Sequence, residues 1–194
     1  MRIIDISQEV FSCAVYEGDP SPKVNKIMNI KNGEMYNLST LSMCVHNGTH
    51  IDAPLHFFES GRAVHEIPLE YFVGECFVAE YNGDVLERDA CEILEKAGMV
   101  GAEKRILIKG DAIVTEESAQ VFANADILLI GVESQSVGPI DAPMQAHKIL
   151  LSKNIVLLEG IVLDDVREGR YILNCAPLNI KDCEGSPCRA ILIE

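Results

Sequence analysis

At 194 residues, with 48% hydrophobic and 24% charged side chains, the chain has an ordinary globular composition. That length suffices for one core burying about 70% of the extended-chain surface. A formal net charge of −14 with no local basic run repels phosphate backbones and anionic lipid heads, so neither nucleic acid nor a membrane is an expected partner. No apolar run reaches the roughly 18–20 residues that span a bilayer. Met1–Ile6 carries Asp5 and does not resemble a secretory leader. Seven scattered cysteines without a C-x-x-C pair suit reduced thiols, so a cytoplasmic location is expected, although Cys183 and Cys188 flank a turn and could bridge.

Arg2 to Phe11 alternates loosely and predicts a first strand. Tyr16-Glu17-Gly18-Asp19-Pro20 belongs to a rigid turn-rich loop, either a surface connection or a cover leaning over a pocket. Lys23–Ile30 and Glu34–Val45 predict two strands around the hairpin signal Asn32-Gly33. The second runs into Cys44-Val45-His46-Asn47-Gly48-Thr49-His50-Ile51-Asp52-Ala53-Pro54-Leu55-His56, where three of the five histidines and a carboxylate fall within eleven residues.

Imidazole and carboxylate suit zinc, manganese or iron, and a coordination shell gathers several of them at about 2.0–2.2 Å from one ion. Helix is disfavoured here by Gly48, Pro54 and β-branched Thr49 and Ile51. In a flat strand His50 and Asp52 point the same way at roughly 6–7 Å, while His46 lies about 13 Å from His50. The chain must bend between them, and Asn47-Gly48 is the expected corner. Pro54 then leaves His56 beside the site, free to move protons. Cys44 reads as a small buried strand residue, and His65 as an ordinary polar one.

Gly74–Tyr81 predicts a strand, and Glu87–Ala97, closed by Gly98, a helix with Ile93 and Leu94 inward. Arg105–Lys109 is a short strand; Thr115 caps a helix whose first turn holds Glu116 and Glu117. Asp126–Val132 reads as a strand covered on both faces, followed by the polar loop Glu133–Pro139 at its carboxyl end, where sites in α/β sheets commonly lie. Asp141 can cap a helix from about Ala142 to Lys153, which carries His147. The apolar strand Ile155–Leu163 holds Glu159 in its middle, and a buried carboxylate needs a cation, either a metal or a buried Lys or Arg. Tyr171–Asn174, a turn at Gly185-Ser186-Pro187 and a last strand Arg189–Ile193 close a chain predicted to be one domain, 1–194.

His46-x-Gly48-Thr49-His50-x-Asp52-Ala53-Pro54-x-His56 resembles the H-x-G-T-H-x-D-x-P-x-H signature of the cyclase family, which includes bacterial kynurenine formamidases and isatin hydrolases. Tyr16–Pro20, Leu128–Glu133, Leu158–Asp164 and Gly185-Ser186-Pro187-x-Arg189-Ala190 are similar to further stretches of that family. The resemblance implies an α/β fold, the swivelling β/β/α domain with a mixed sheet packed with helices, in homodimers or tetramers. It implies that His46, His50 and Asp52 hold one divalent metal, and that Asp52, His147 and Glu159 hold a second. Two Zn2+ ions per subunit are expected, with Mn2+ as the other candidate. His56 is then the proton donor and acceptor, and Tyr16 the substrate-contacting aromatic.

The implied activity is amide hydrolysis by metal-activated water, with N-formylkynurenine going to kynurenine and formate. A cyclic amide such as isatin is the alternative substrate, and a non-catalytic metal- or metabolite-binding protein the alternative class. Two positions depart from the formamidases. They place Trp at the position of Tyr16, and commonly a second His at that of Lys148; an ammonium there would favour an acidic substrate.

Overall fold

The computed structural model describes residues 1–139 and 141–194. Its strands are β1 (Ile3–Asp5), β2 (Lys23–Met28), β3 (Leu38–Ser42), β4 (His50–Asp52), β5 (Val73–Glu80), β6 (Gly83–Val85) and β7 (Arg105–Lys109). The remainder are β8 (Ala112–Val114), β9 (Leu129–Val132), β10 (Val156–Glu159), β11 (Gly169–Asn174), β12 (Gly185–Pro187) and β13 (Ile191–Ile193). The helices are α1 (Glu87–Met99), α2 (Glu116–Asn124) and α3 (Met144–Ser152).

Nine strands form one sheet in the order β1-β13-β11-β5-β7-β9-β10-β4-β12. The centre, β5-β7-β9-β10, is parallel, and both flanks pair antiparallel. This is the expected mixed α/β sheet. Its central strands are continuous apolar runs because both faces are covered. Ile106 and Ile108 of β7 enter the helix-side core with Phe122 and Leu150, whereas Leu107 enters the opposite core with Phe72 and Leu173. In β10, Leu157 faces the helices while Val156 and Leu158 face away. Each such fully buried Leu, Ile or Phe contributes roughly 1.5–3 kcal/mol.

Local signals place the helices. Thr115 accepts a hydrogen bond from the Ser118 amide at 3.3 Å, as its predicted capping role requires. The Asp89 carboxylate accepts from the Leu86 amide at 3.0 Å and closes the first turn of α1. That helix runs through Gly98 to Met99, and the left-handed residue is Gly101, at φ +68°. Helix α3 starts at Met144 after Pro143, with no side-chain cap, so Asp141 does not cap it. Pro143 disfavours helical geometry at Ala142, which explains the shorter start.

Three strand expectations also shift. β1 ends at Asp5, and the following residues cross to the far end of β10, where the Val162 amide donates to the Ile6 carbonyl at 2.9 Å. The Lys23–Ser42 hairpin pairs only with itself, outside the main sheet, and its second strand begins at Leu38. Gly185-Ser186-Pro187 is not a turn but β12, the edge strand against β4. All seven cysteines are free thiols, so Cys183 and Cys188 do not bridge.

Candidate metal centre

The site grows from three-residue β4, held between β10 and β12. His50 and Asp52 are two residues apart and project from the same face. The β4–β10 register sets Glu159 directly opposite His50, and Leu157 opposite Asp52. Because Leu157 belongs to the helix-side core, these polar residues face α3, which delivers His147. Glu159 is the last residue of β10 rather than its middle, and Gly160 then turns the chain at φ +67°.

His46 reaches the site through a turn. The Asn47 amide donates to the Cys44 carbonyl at 3.2 Å, and Asn47 Oδ1 accepts from the Cys44 amide at 2.9 Å. The corner residues are therefore Val45 and His46, one step before the expected Asn47-Gly48, although Gly48 does adopt φ +65°. Thr49 Oγ1 donates to the Gly160 carbonyl at 2.6 Å and ties this turn to the end of β10. A Cβ on Gly185 would lie 2.8 Å from His46 Cε1 and 2.9 Å from the Ile51 carbonyl oxygen, so the imidazole rests on a backbone that only glycine leaves open. Cys44 is half-buried in the turn, not in a strand, and its thiol donates to Asp19 Oδ2 at 3.6 Å.

Ring orientation defines the chemistry. His50 Nδ1 lies 2.9 Å from the Gly48 carbonyl and His147 Nδ1 lies 2.8 Å from the Pro143 carbonyl. Carbonyls only accept, so each Nδ1 carries a proton and each Nε2 is turned toward the carboxylates. His50 Nε2 is 3.3 Å from Glu159 Oε2 and 3.5 Å from Asp52 Oδ1. His147 Nε2 is 3.2 Å from Glu159 Oε1 and 3.6 Å from Asp52 Oδ2. His46 Nδ1 is 2.8 Å from Asp52 Oδ1, and His46 Nε2 is buried without a hydrogen-bond partner. One backbone donor reaches in: the Val137 amide, 2.7 Å from Glu159 Oε1.

Two carboxylates, at 1% and 2% exposure, thus face imidazole lone pairs in a buried space that only positive charge completes. In the metal-free chain protons supply it. Burial opposes ionising His50 and His147, but the hydrogen bonds to Glu159 and the two carboxylate charges outweigh it and raise both to about 9. Burial likewise works against ionising Asp52, yet the His46 hydrogen bond and the surrounding imidazoles hold its carboxyl well below the usual range. Glu159 is pushed up by burial and by Asp52, and held down on balance by its bonds to His147 and His50.

A divalent cation meets the same need with N/O donors suited to zinc, manganese or iron. His46, His50 and Asp52 gather their ligand atoms within 4.8 Å of one another; so do Asp52, His147 and Glu159. Asp52 belongs to both groups, and the residues present fit a divalent ion.

His56 stands outside both groups, in the turn Pro54–His56, with Nε2 3.9 Å from Asp52 Oδ2 and its ring 4.3 Å from that of His46. Burial lowers its pKa despite the Asp52 charge, so the imidazole is neutral at pH 7 and able to exchange a proton. A cavity of about 310 Å3 opens over the cluster, walled by Tyr16, Phe57, Pro143 and Met144, with Asp19, Gln135 and Ser136 as its other polar lining. The Tyr16 loop therefore leans over a pocket. Lys148 is exposed on α3, and no Lys or Arg occurs among the described residues lining the cavity, so its ammonium does not face the substrate space.

All seven predicted site residues line this one cavity. Not anticipated are Phe57, whose ring lies 4.7 Å from His56 and 5.1 Å from His147, and Glu184, whose Oε1 is 3.8 Å from His46 Nε2. Phe57 directly follows the signature, which was its signal. Glu184 had none, because β12 is too short to read as a strand. His65 lies apart and accepts from the Asp182 amide at 3.2 Å.

The family model described as "Putative cyclase" matches residues 4–139. The chain belongs to the cyclase family. Among cyclase-family relatives, the kynurenine formamidase of Erythrobacter litoralis is 33% identical over 206 residues, covering 100% of this chain and 94% of that protein. The kynurenine formamidase of Salinibacter ruber is 34% identical, covering 99% and 97%. A predicted metal-dependent hydrolase from Bacillus stearothermophilus superposes with a TM-score of 0.82 at 29% identity, over 98% of this chain and 97% of that one. Isatin hydrolase A from Labrenzia aggregata shares the fold, with a TM-score of 0.86 at 22% identity over 98% and 93%. No helix of the described residues is long and apolar enough to cross a membrane.

Proposed function

We propose that the chain is a metal-dependent amide hydrolase that cleaves an aryl formamide, with N-formylkynurenine, giving kynurenine and formate, as the leading substrate. The observation that carries this is the pair of ligand groups sharing Asp52 beneath a pocket that also presents a neutral His56. Full-length relatives named kynurenine formamidase support the substrate class.

His46, His50 and Asp52 would hold one divalent ion; Asp52, His147 and Glu159 a second, with zinc the first candidate and manganese the next. Bound there, a divalent cation supplies a Lewis acid that lowers the pKa of water and polarises a carbonyl. The chain's own groups do the rest. Tyr16 and Phe57 stack on the aryl ring and keep bulk water from the amide. His56 takes a proton from the attacking water and returns it to the leaving aryl nitrogen, so that the C–N bond breaks to a neutral amine and a carboxylic acid, which loses its remaining proton to solvent. The enzyme is taken to work in the cytoplasm as a homo-oligomer on a small-molecule substrate.

One observation favours a second substrate. An amino-acid-bearing formamide carries a carboxylate, and no Lys or Arg lines the described part of the pocket. A neutral cyclic aryl amide, an isatin-like lactam, makes no such demand. Parallel assays of the metal-loaded protein on N-formylkynurenine and on isatin separate the two. Hydrolysis of neither, with metal bound at Asp52, would remove the amide hydrolase assignment.

A further inference from the structure

Three carboxylates line the cavity, and two of them, Asp52 and Glu159, are met by imidazoles at its floor. The third is not. Among the described residues the half-buried Asp19 carboxylate has one side-chain partner, the Cys44 thiol 3.6 Å from Oδ2, and a thiol is a weak donor. Nor does its own turn need the carboxylate, since the Asp19 amide donates to the Tyr16 carbonyl at 3.0 Å and Gly18 supplies φ +97°. Carboxylates elsewhere in the chain are occupied. Glu133 accepts from the Gly110 and Leu163 amides at 2.6 and 2.7 Å, and Asp89 from the Tyr81 hydroxyl and the Leu86 amide at 2.7 and 3.0 Å.

A carboxylate left without donors is costly to cover. A ligand that fills the cavity strips water from Asp19, so binding gains there only if the ligand returns donors, and a cation returns the strongest. Asp19 shares its turn with Tyr16, against which the aryl ring of the substrate is set. A side arm on that ring meets Asp19. No other lining group sets a rival preference, because Pro143 and Met144 are apolar and no Lys or Arg lines the described part of the cavity. The formal charge of −14 favours the same sign of ligand.

We propose that Asp19 is a specificity-determining residue that selects aryl amides whose side arm carries an ammonium, and disfavours arms that end in a carboxylate alone. An amino-acid arm then binds by its ammonium and leaves its carboxylate to water at the mouth. The placement of the ring rests on the amide hydrolase reading, but the selection is a binding property and is measured without turnover.

Calorimetric titration of the metal-loaded protein with four 2-aminophenyl ketones tests this, their arms ending in an ammonium, a carboxylate, both or neither. The wild type is expected to bind the ammonium arm about 10–100-fold more tightly than the carboxylate arm. Asp19→Asn, which keeps the side chain's size, is expected to lose most of that difference and Asp19→Glu to keep it, with circular dichroism reporting the fold. A wild type that binds both arms equally, or prefers the carboxylate, would overturn the proposal without any variant. So would a folded Asp19→Asn protein with undiminished preference. The N-formyl derivatives of the same four compounds separate this selection from the reading beneath it. Turnover with no ammonium preference in kcat/KM removes the role of Asp19 alone. Turnover of none, with the binding preference intact, removes the hydrolase assignment and leaves the selection standing.

Discussion

His50 and Glu159 face each other across the β4–β10 pair, with Nε2 and Oε2 3.3 Å apart and both residues buried. Two residues 109 positions apart in sequence thus meet as a cross-strand pair whose other neighbours, Asp52 and His147, also turn a carboxylate and an Nε2 inward. The centre is built to enclose positive charge.

Glu159→Gln keeps the shape of that pair and removes its charge. Cation affinity is expected to fall by more than the 10–100-fold typical of losing an outer partner. Titration with Zn2+ or Mn2+ by calorimetry checks it.

His56→Ala removes no predicted ligand. The variant is expected to retain the wild-type metal content while its turnover drops by about 10²–10⁴-fold. Metal analysis and steady-state rates on one preparation check it, and a variant with wild-type kcat would take the proton-transfer role from His56.

The metal-free protein should have an alkaline weakness. His50 and His147 have folded-state pKa values of about 9 against an ordinary 6.5. Their contribution to stability is therefore fully present below about pH 6.5 and lost as pH rises through 9. Asp52 and Glu159 are depressed, so their contribution is present above the ordinary carboxylate range and lost as pH falls through their lowered folded values. Thermal melts of chelated protein should show Tm declining between pH 6.5 and 9. Saturating metal should flatten that decline, because ligation already requires the deprotonated imidazoles, and affinity itself should rise with pH.

Gly185→Ala should damage the site from outside it. The added methyl meets His46 Cε1 and the Ile51 carbonyl inside van der Waals contact, a clash expected to cost about 1–3 kcal/mol. Urea denaturation reports the stability loss, and weaker metal binding by the folded variant reports displacement of His46.

Much of this was readable in the polymer because the chemistry is concentrated. The signature from His46 to His56 places four of the seven site residues within eleven positions, and a charge inside the apolar stretch Ile155–Leu163 marks Glu159. The parallel core strands were legible for the same reason, since strands buried on both faces must be continuously apolar.

Short elements and long-range pairing were not legible. β12 is three residues of Gly, Ser and Pro, a composition that reads as a turn; its strand character comes from β4 beside it. Helix α3 has no side-chain cap, so its start is set by the proline before it. Glu184 is brought beside His46 by tertiary packing, and nothing in its spacing points there, whereas Gln135 sits in the polar loop after β9 that was expected to line a site. Lys148 failed as a specificity signal because one step along a helix from a buried His147 turns a side chain about 100° toward solvent.

The most direct test is metal stoichiometry of wild type against Asp52→Ala, measured by elemental analysis after saturation and desalting, with folding confirmed by circular dichroism. Asp52 belongs to both ligand groups, so the wild type should hold divalent metal tightly and the folded variant should hold none. A folded Asp52→Ala protein that keeps the wild-type metal content would contradict the shared centre.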